Sequence, residues 1–334
     1  MLNDDRVVHP FAWGTEFVAA DVDAAEPRRF FTEFSRSSIA VSDDFFALGS
    51  MPAIAARSGD NSVDLTWQSA VVTPSAENNT AYAAWFPVDG KERAAVLVLP
   101  HWNAKAGTYF DLCRIFNRVG IAALRLTLPY HEERMPPELD RAEYLVYPNI
   151  GRTIQSVRQA VLDTRTSVRW LKEQGFERIG IVGTSIGSCT AFLAFVHDTD
   201  IDAAVFNHVS GYFSDVVWRG LSTYHVRESL EKAVTLDELR RYWLPISPLA
   251  YMDKLAAQNE RPQRYIYTRY DLTFPYELSL DTMRELRRRK IAHSETVLPC
   301  GHYTLGEKPW NYIDGFKIVS FIRKHLAAGR RRPR

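Results

Sequence analysis

The sequence lacks several things, and each lack closes off a class of function. Its 334 residues hold three cysteines, Cys113, Cys189 and Cys300. They lie far apart with no C-x-x-C spacing, which argues against a zinc cluster or a dithiol redox pair. One is left over from any disulfide pairing, as expected in a reducing compartment. Net charge is nearly absent, with 41 Lys and Arg against 40 Asp and Glu. No global field draws this chain to nucleic acid or to an anionic membrane. No apolar run is long enough to cross a bilayer, and the opening MLNDDRVVHPFAW carries acids where a secretory signal has its apolar core. No G-x-G-x-x-G or P-loop pattern follows a strand-like run, so no nucleotide cofactor is expected. His131-Glu132-Glu133 lacks a second histidine at zinc-helix spacing, and His197-Asp198-Thr199-Asp200 reads as a polar loop. The expectation is a soluble, cytoplasmic protein acting on a small molecule, with no metal, no cofactor and no membrane span.

What the chain does have is a pattern of buried strands alternating with helices. Residues 94–99 (AAVLVL) and 121–126 are short apolar runs of the kind covered on both faces of a parallel sheet. Further strands are expected at 203–206, 265–268 and 294–298. Helices are expected at 108–119, 153–174 (stopped by Gly175), 276–289 and 312–326. Two β-runs, 64–73 and 80–88, form a hairpin-like antiparallel edge. The fold class is therefore α/β, a mostly parallel twisted sheet with helices on both faces.

Around this core stand three other parts. Residues 1–62 are rich in aromatics (Phe11, Trp13, Phe30, Phe31, Phe34, Phe45, Phe46), with a short helix at 26–37. So much ring surface is expected to pack on the core, and it is also a candidate homodimer contact. Residues 209–255, mixed and aromatic, are expected to form a helical partial cap on the 63–327 domain. The basic tail, 328–334, is expected to be solvated and disordered.

Residues 178–194 (RIGIVGTSIGSCTAFLA) run from an apolar strand through Gly183-Thr184-Ser185-Ile186-Gly187 into small residues at helical spacing. That spells strand, tight turn and helix, with a serine at the apex and glycines where strand and helix pack too closely for side chains. Asp271 lies just past the 265–268 strand and His302 just past the 294–298 strand. Open parallel sheets place ligand groups outside the carboxyl ends of their strands, so all three fall on one rim.

This succession of G-x-S-x-G serine, then acid, then histidine resembles the α/β-hydrolase superfamily. The acid loop, Arg269-Tyr270-Asp271-Leu272-Thr273-Phe274-Pro275, looks like that of the dienelactone-hydrolase-like and acetylxylan-esterase-like group. Residues 128–210 also resemble abhydrolase-domain-18 type proteins. The resemblance implies a serine hydrolase of esters or thioesters working through an acyl-enzyme. Ser185 would be the nucleophile, His302 the general base and Asp271 its orienting acid, with Asp215 as a substitute acid. The oxyanion hole would use the N–H of Ile186 and one N–H from His101-Trp102-Asn103, either Trp102 or Asn103. Tyr130, Arg134, His208 and Tyr212, just beyond strand ends, are candidate substrate contacts. An acyltransferase with the same triad and a non-catalytic binding scaffold are the alternatives.

Overall fold

The computed structural model describes residues 6–19, 25–59, 62–88, 93–258 and 260–327. The basic tail expected at 328–334, and part of the turn expected at 59–62, lie outside them. Nine strands are described: β1 (Ala55–Ser58), β2 (Val63–Gln68), β3 (Thr80–Phe86), β4 (Ala94–Leu99), β5 (Ala122–Leu126), β6 (Arg178–Thr184), β7 (Ile201–Asn207), β8 (Gln263–Thr268) and β9 (Ser294–Leu298). They form one sheet in the order β1-β2-β3-β5-β4-β6-β7-β8-β9. From β5 to β9 every pairing is parallel, while β1, β2 and β3 make the antiparallel edge. All six residues of β4 are buried, as its unbroken apolar run requires.

Helices cover both faces. On one side α3 (Phe110–Arg118) and α11 (Trp310–Leu326) seat Cys113, Phe116, Ile318 and Ile322 against the sheet. On the other, α4 (Ile150–Glu173) and α5 (Ile186–His197) bring Ile154, Val157, Phe192 and Leu193 to the larger core. α10 (Tyr276–Arg288) adds Met283 and Leu286 there. At about 25 cal/mol per Å² of apolar surface, such burial is the main term favouring the folded chain.

The aromatic N-terminal segment is applied to this second face. Phe31, on α1 (Pro27–Ala40), is fully buried, as is Phe46, just after α2 (Ser42–Phe45). Arg158 Nε donates to Phe45 O at 2.6 Å and Arg165 bonds Phe46 O, so α4 staples the segment down. The same segment caps α4. The N–H groups of Ile150 and Gly151 donate to Ala12 O and Trp13 O at 3.2 and 2.9 Å. Asn149 Oδ1 takes the N–H of Arg152 at 2.8 Å. Three donors that a helix leaves free at its start are thereby satisfied.

Between β7 and β8 the chain makes four short helices, α6 (Phe213–Arg219), α7 (Tyr224–Leu230), α8 (Leu236–Tyr242) and α9 (Met252–Ala256). Leu221 N–H donates to Leu272 O at 2.8 Å, and Ser222 Oγ lies 2.6 Å from Thr273 Oγ1. This region is therefore tied to the loop after β8.

Candidate active site

The turn between β6 and α5 is held where glycines permit contact. A Cβ on Gly183 would meet Gly187 O at 2.1 Å, and one on Gly187 would meet Pro100 O at 2.4 Å. Ser185 takes φ 58°, ψ −121°, a left-handed conformation that costs a non-glycine residue on the order of 1–3 kcal/mol. Its neighbours hold it there. Ser185 N–H donates to Asn207 O at 2.8 Å, and Ser185 O accepts the N–H and the hydroxyl of Ser188 at 2.9 and 2.7 Å. The next N–H, of Ile186, opens α5 and belongs to the donors that have no intrahelical acceptor.

Asp271 follows β8 in a loop that turns back on its carboxylate. Oδ1 accepts the N–H of Thr273 at 2.8 Å and of Phe274 at 2.7 Å. Oδ2 accepts the Thr268 hydroxyl at 3.2 Å and lies 2.9 Å from His302 Nδ1. Burial by itself would raise this carboxyl, but contacts with His208 and His302 outweigh it and hold Asp271 well below the usual carboxylate range. It is thus an anion throughout the neutral range. With Nδ1–H given to Asp271, His302 keeps its lone pair on Nε2. The Phe274 ring lies parallel to the imidazole, 1° between planes at 5.5 Å, so the residue that donates to the acid also packs on the histidine. Among the described residues no hydrogen bond joins Ser185 Oγ to an imidazole. Such contacts in a free enzyme often close only with substrate in place.

Asp215, the substitute acid, is engaged elsewhere. Both its oxygens receive Arg240, at 2.9 and 2.6 Å.

The loop after β4 carries Trp102 and Asn103. Asn103 has φ 59° and donates its N–H to His131 Nε2 at 2.8 Å. His131 Nδ1–H donates to Pro129 O at 2.9 Å, which fixes the tautomer that leaves Nε2 an acceptor. Burial pushes His131 down to about 3, so it stays neutral. Ala142 N–H donates to Asn103 Oδ1 and Trp102 Nε1–H to Ala142 O, each at 2.8 Å. The loop is thus clamped by the 129–148 segment, and the Asn103 N–H is already used.

A cavity of about 50 Å³ opens beside Ser185, walled by Trp102, Ile186, Phe213, Val217 and Phe274. The candidate substrate contacts do not line it. Tyr130 is 1% exposed and packs edge-on to Tyr144. Arg134 is fully buried, 2.9 Å from Asp163 and bonded to Thr127 O and Asn78 O, so it serves the core. Tyr212 precedes α6, its ring 5.3 Å from the Arg240 guanidinium. His208 is buried against Asp271 and His302.

His208, Asp271 and His302 carry ligand-type atoms within 4.8 Å of one another. Both Nδ1 atoms approach one carboxylate oxygen, His302 in a hydrogen bond and His208 in a close contact without hydrogen-bond alignment. The roles of Phe274 and His131 could not be read from sequence, where the first stands only as part of the acid loop and the second only as a histidine without a metal partner. The one signal was their position just past strand ends.

No protein-family model matches the chain, and no curated protein matches it. Among solved structures it is similar to an acylaminoacyl peptidase of Pyrococcus horikoshii, with a TM-score of 0.58 and 14% identity over 85% of this chain and 43% of that one. A puromycin-hydrolyzing peptidase of Mycobacterium tuberculosis gives 0.58 and 14% over 83% and 46%. An esterase of Pyrococcus furiosus gives 0.52 and 16% over 85% and 96%. The chain spans less than half of each peptidase and nearly all of the esterase. At these identities the likeness is one of architecture: the chain has the α/β-hydrolase fold.

Proposed function

We propose that the chain is a serine hydrolase that cleaves an ester or thioester through Ser185, His302 and Asp271. The observation that carries this is the 2.9 Å contact from His302 Nδ1 to a buried Asp271 carboxylate, on the strand rim where Ser185 stands in strained backbone. A serine hydroxyl is a weak nucleophile until a base removes its proton. His302 Nε2 takes that proton as Ser185 Oγ attacks the carbonyl carbon, and Asp271 stabilises the resulting imidazolium. The oxyanion forms against the N–H groups of Ile186 and Trp102. Trp102 is preferred to Asn103 because the latter's N–H goes to His131. His302 then protonates the departing alcohol or thiol, leaving the acyl group on Ser185. Water repeats the sequence to release the acid.

The apolar cavity beside Ser185 suits the acyl side. All the groups used come from residues 63–327 of one copy, with 209–255 as a partial cap, so no dimer is required. The aromatic rings of the N-terminal segment are spent on their own chain. Three buried free cysteines suit a reducing, cytoplasmic setting. A series of p-nitrophenyl esters graded by acyl length, run on the parent and Ser185→Ala, tests this. Turnover lost with Ser185 is expected; turnover that survives Ser185→Ala contradicts it.

A further inference from the structure

Four neighbouring strands, β6, β7, β8 and β9, are each followed within four residues by one that bears chemistry: Ser185, His208, Asp271 and His302. A serine hydrolase needs three of them, and His208 is the surplus. The fold nevertheless goes to some trouble over it. His208 is 1% exposed with φ 62°, a conformation that is strained for a residue with a Cβ. Its N–H donates to Ile266 O at 2.8 Å, and its carbonyl accepts the hydroxyl of Ser188, the residue that also braces Ser185.

The side chain meets the acid. His208 Nδ1 lies 2.8 Å from Asp271 Oδ2, the oxygen that His302 Nδ1 reaches at 2.9 Å. The two imidazole centroids are 4.4 Å apart, with 45° between planes. Two lone pairs facing each other at 2.8 Å would repel, so neutral His208 carries its hydrogen on Nδ1, on the side of the carboxylate. That N–H is poorly aligned with the oxygen, so the contact acts chiefly as a dipole beside a charge. The titratable groups facing His208 are Asp271 after β8, His302 after β9 and His101 after β4. Burial, with His302 adding to it, lowers His208, and it stays neutral at neutral pH.

We propose that His208 is a positioning residue that shares Asp271 Oδ2 with His302 and thereby limits how strongly the acid stabilises the His302 imidazolium. Each donor on a carboxylate disperses charge that the others would otherwise meet. Thr273 and Phe274 do this on Oδ1, at a distance from the base. His208 does it, beside the Thr268 hydroxyl, on the oxygen that the base itself uses. Removing it concentrates charge toward His302, which then holds a proton more tightly. The acid limb of the pH–rate profile moves to higher pH as a result. A histidine that only filled space would leave that limb unmoved.

The kinetic part rests on the hydrolase reading; the spectroscopic part does not. The full chain is compared with His208→Leu, which removes the donor, and His208→Asn, which keeps an amide N–H. For the leucine variant we expect the acid limb of kcat/KM to rise by about half to one pH unit, the scale of one ordinary hydrogen bond, as suits a contact that is close but poorly aligned. We also expect the low-field proton resonance of His302 Nδ1–H to move further downfield, with asparagine returning both toward the parent. An unmoved or lowered limb, an unmoved resonance, or an asparagine variant indistinguishable from leucine overturns the proposal. If the parent turns over no ester, the hydrolase reading fails while the resonance still decides the role of His208. If the leucine variant does not fold, 15N histidine shifts of the parent decide. They should show the His208 proton on Nδ1, and a bare Nδ1 would sink the idea.

Discussion

Asn103 gives its backbone N–H to His131 Nε2 at 2.8 Å, and His131 is held in that tautomer by its own bond to Pro129 O. The loop proposed to carry the second oxyanion donor is therefore positioned by a neutral, buried histidine some thirty residues on. Replacing His131 with leucine leaves the Asn103 N–H without an acceptor and loosens the loop around Trp102. An oxyanion donor contributes about 10²–10³ in rate, so a partial misplacement should lower kcat by roughly ten- to a hundredfold with little change in KM. Steady-state kinetics on a short ester read this, and a rise in KM at constant kcat would assign the loop to ground-state binding instead.

The elbow admits no side chain at its fourth residue after Gly183. Gly187→Ala places a Cβ at 2.4 Å from Pro100 O and 2.5 Å from Leu99 O, both backbone atoms. Overpacking of this kind costs about 1–3 kcal/mol. Thermal unfolding should show that loss, and ester turnover should fall further than the lost stability explains, because the end of β4 and the loop proposed to hold an oxyanion donor are what must move. A variant with parental turnover would mean that the elbow does not set the reaction geometry.

Arg134 was expected to touch substrate, yet it is fully buried beside Asp163, at 2.9 Å. Removing one partner of a buried pair typically costs about 3–5 kcal/mol, because the other is left uncompensated. Arg134→Leu should accordingly be strongly destabilised in urea, and Arg134→Leu with Asp163→Leu should regain part of the loss. A selective change in KM at unaltered stability would restore the substrate role.

Asp314, on α11, accepts the Asn207 amide at 2.8 Å, and Asn207 O in turn receives Ser185 N–H. Burial pushes this carboxyl up to about 7, against the lowering effect of Asn207. Between about pH 4 and 7 the folded chain keeps a proton that the unfolded chain has released. Stability therefore falls as pH rises through that window, by up to about 4 kcal/mol, and the loss is complete above it. Asp314→Asn should match the parent near pH 4 and exceed it at pH 8. Melting curves that shift in parallel across the whole range would contradict this.

Much of the fold could be read from the text, because buried parallel strands write themselves as apolar runs. The run at 94–99 is β4 to the residue, and the glycines around Ser185 stand where backbone meets backbone. β1 was missed: Ala55–Ser58 is exposed along its whole length, so it carries no hydrophobic alternation. The expected strand 64–73 ends at Gln68, after which Ser69 and Thr73 turn inward to bond Asp163 and Asn79. Side-chain destinations were the least legible. Arg134, Tyr130 and Tyr212 all follow strand ends, but strand-end position fixes a rim and not a direction. His208 shows the converse, since its place beside Asp271 depends on a left-handed backbone that sequence does not announce.

The most direct measurement is labelling of the parent, Ser185→Ala and His302→Ala by a serine-directed fluorophosphonate at neutral pH, read by intact mass. The parent should gain one adduct, mapped to Ser185. The alanine at 185 should take none, and the alanine at 302 should react slower by at least about 10³-fold, the scale set by losing a triad base. An adduct that persists without Ser185, or a parent rate unchanged by the loss of His302, would contradict the assignment of nucleophile and base.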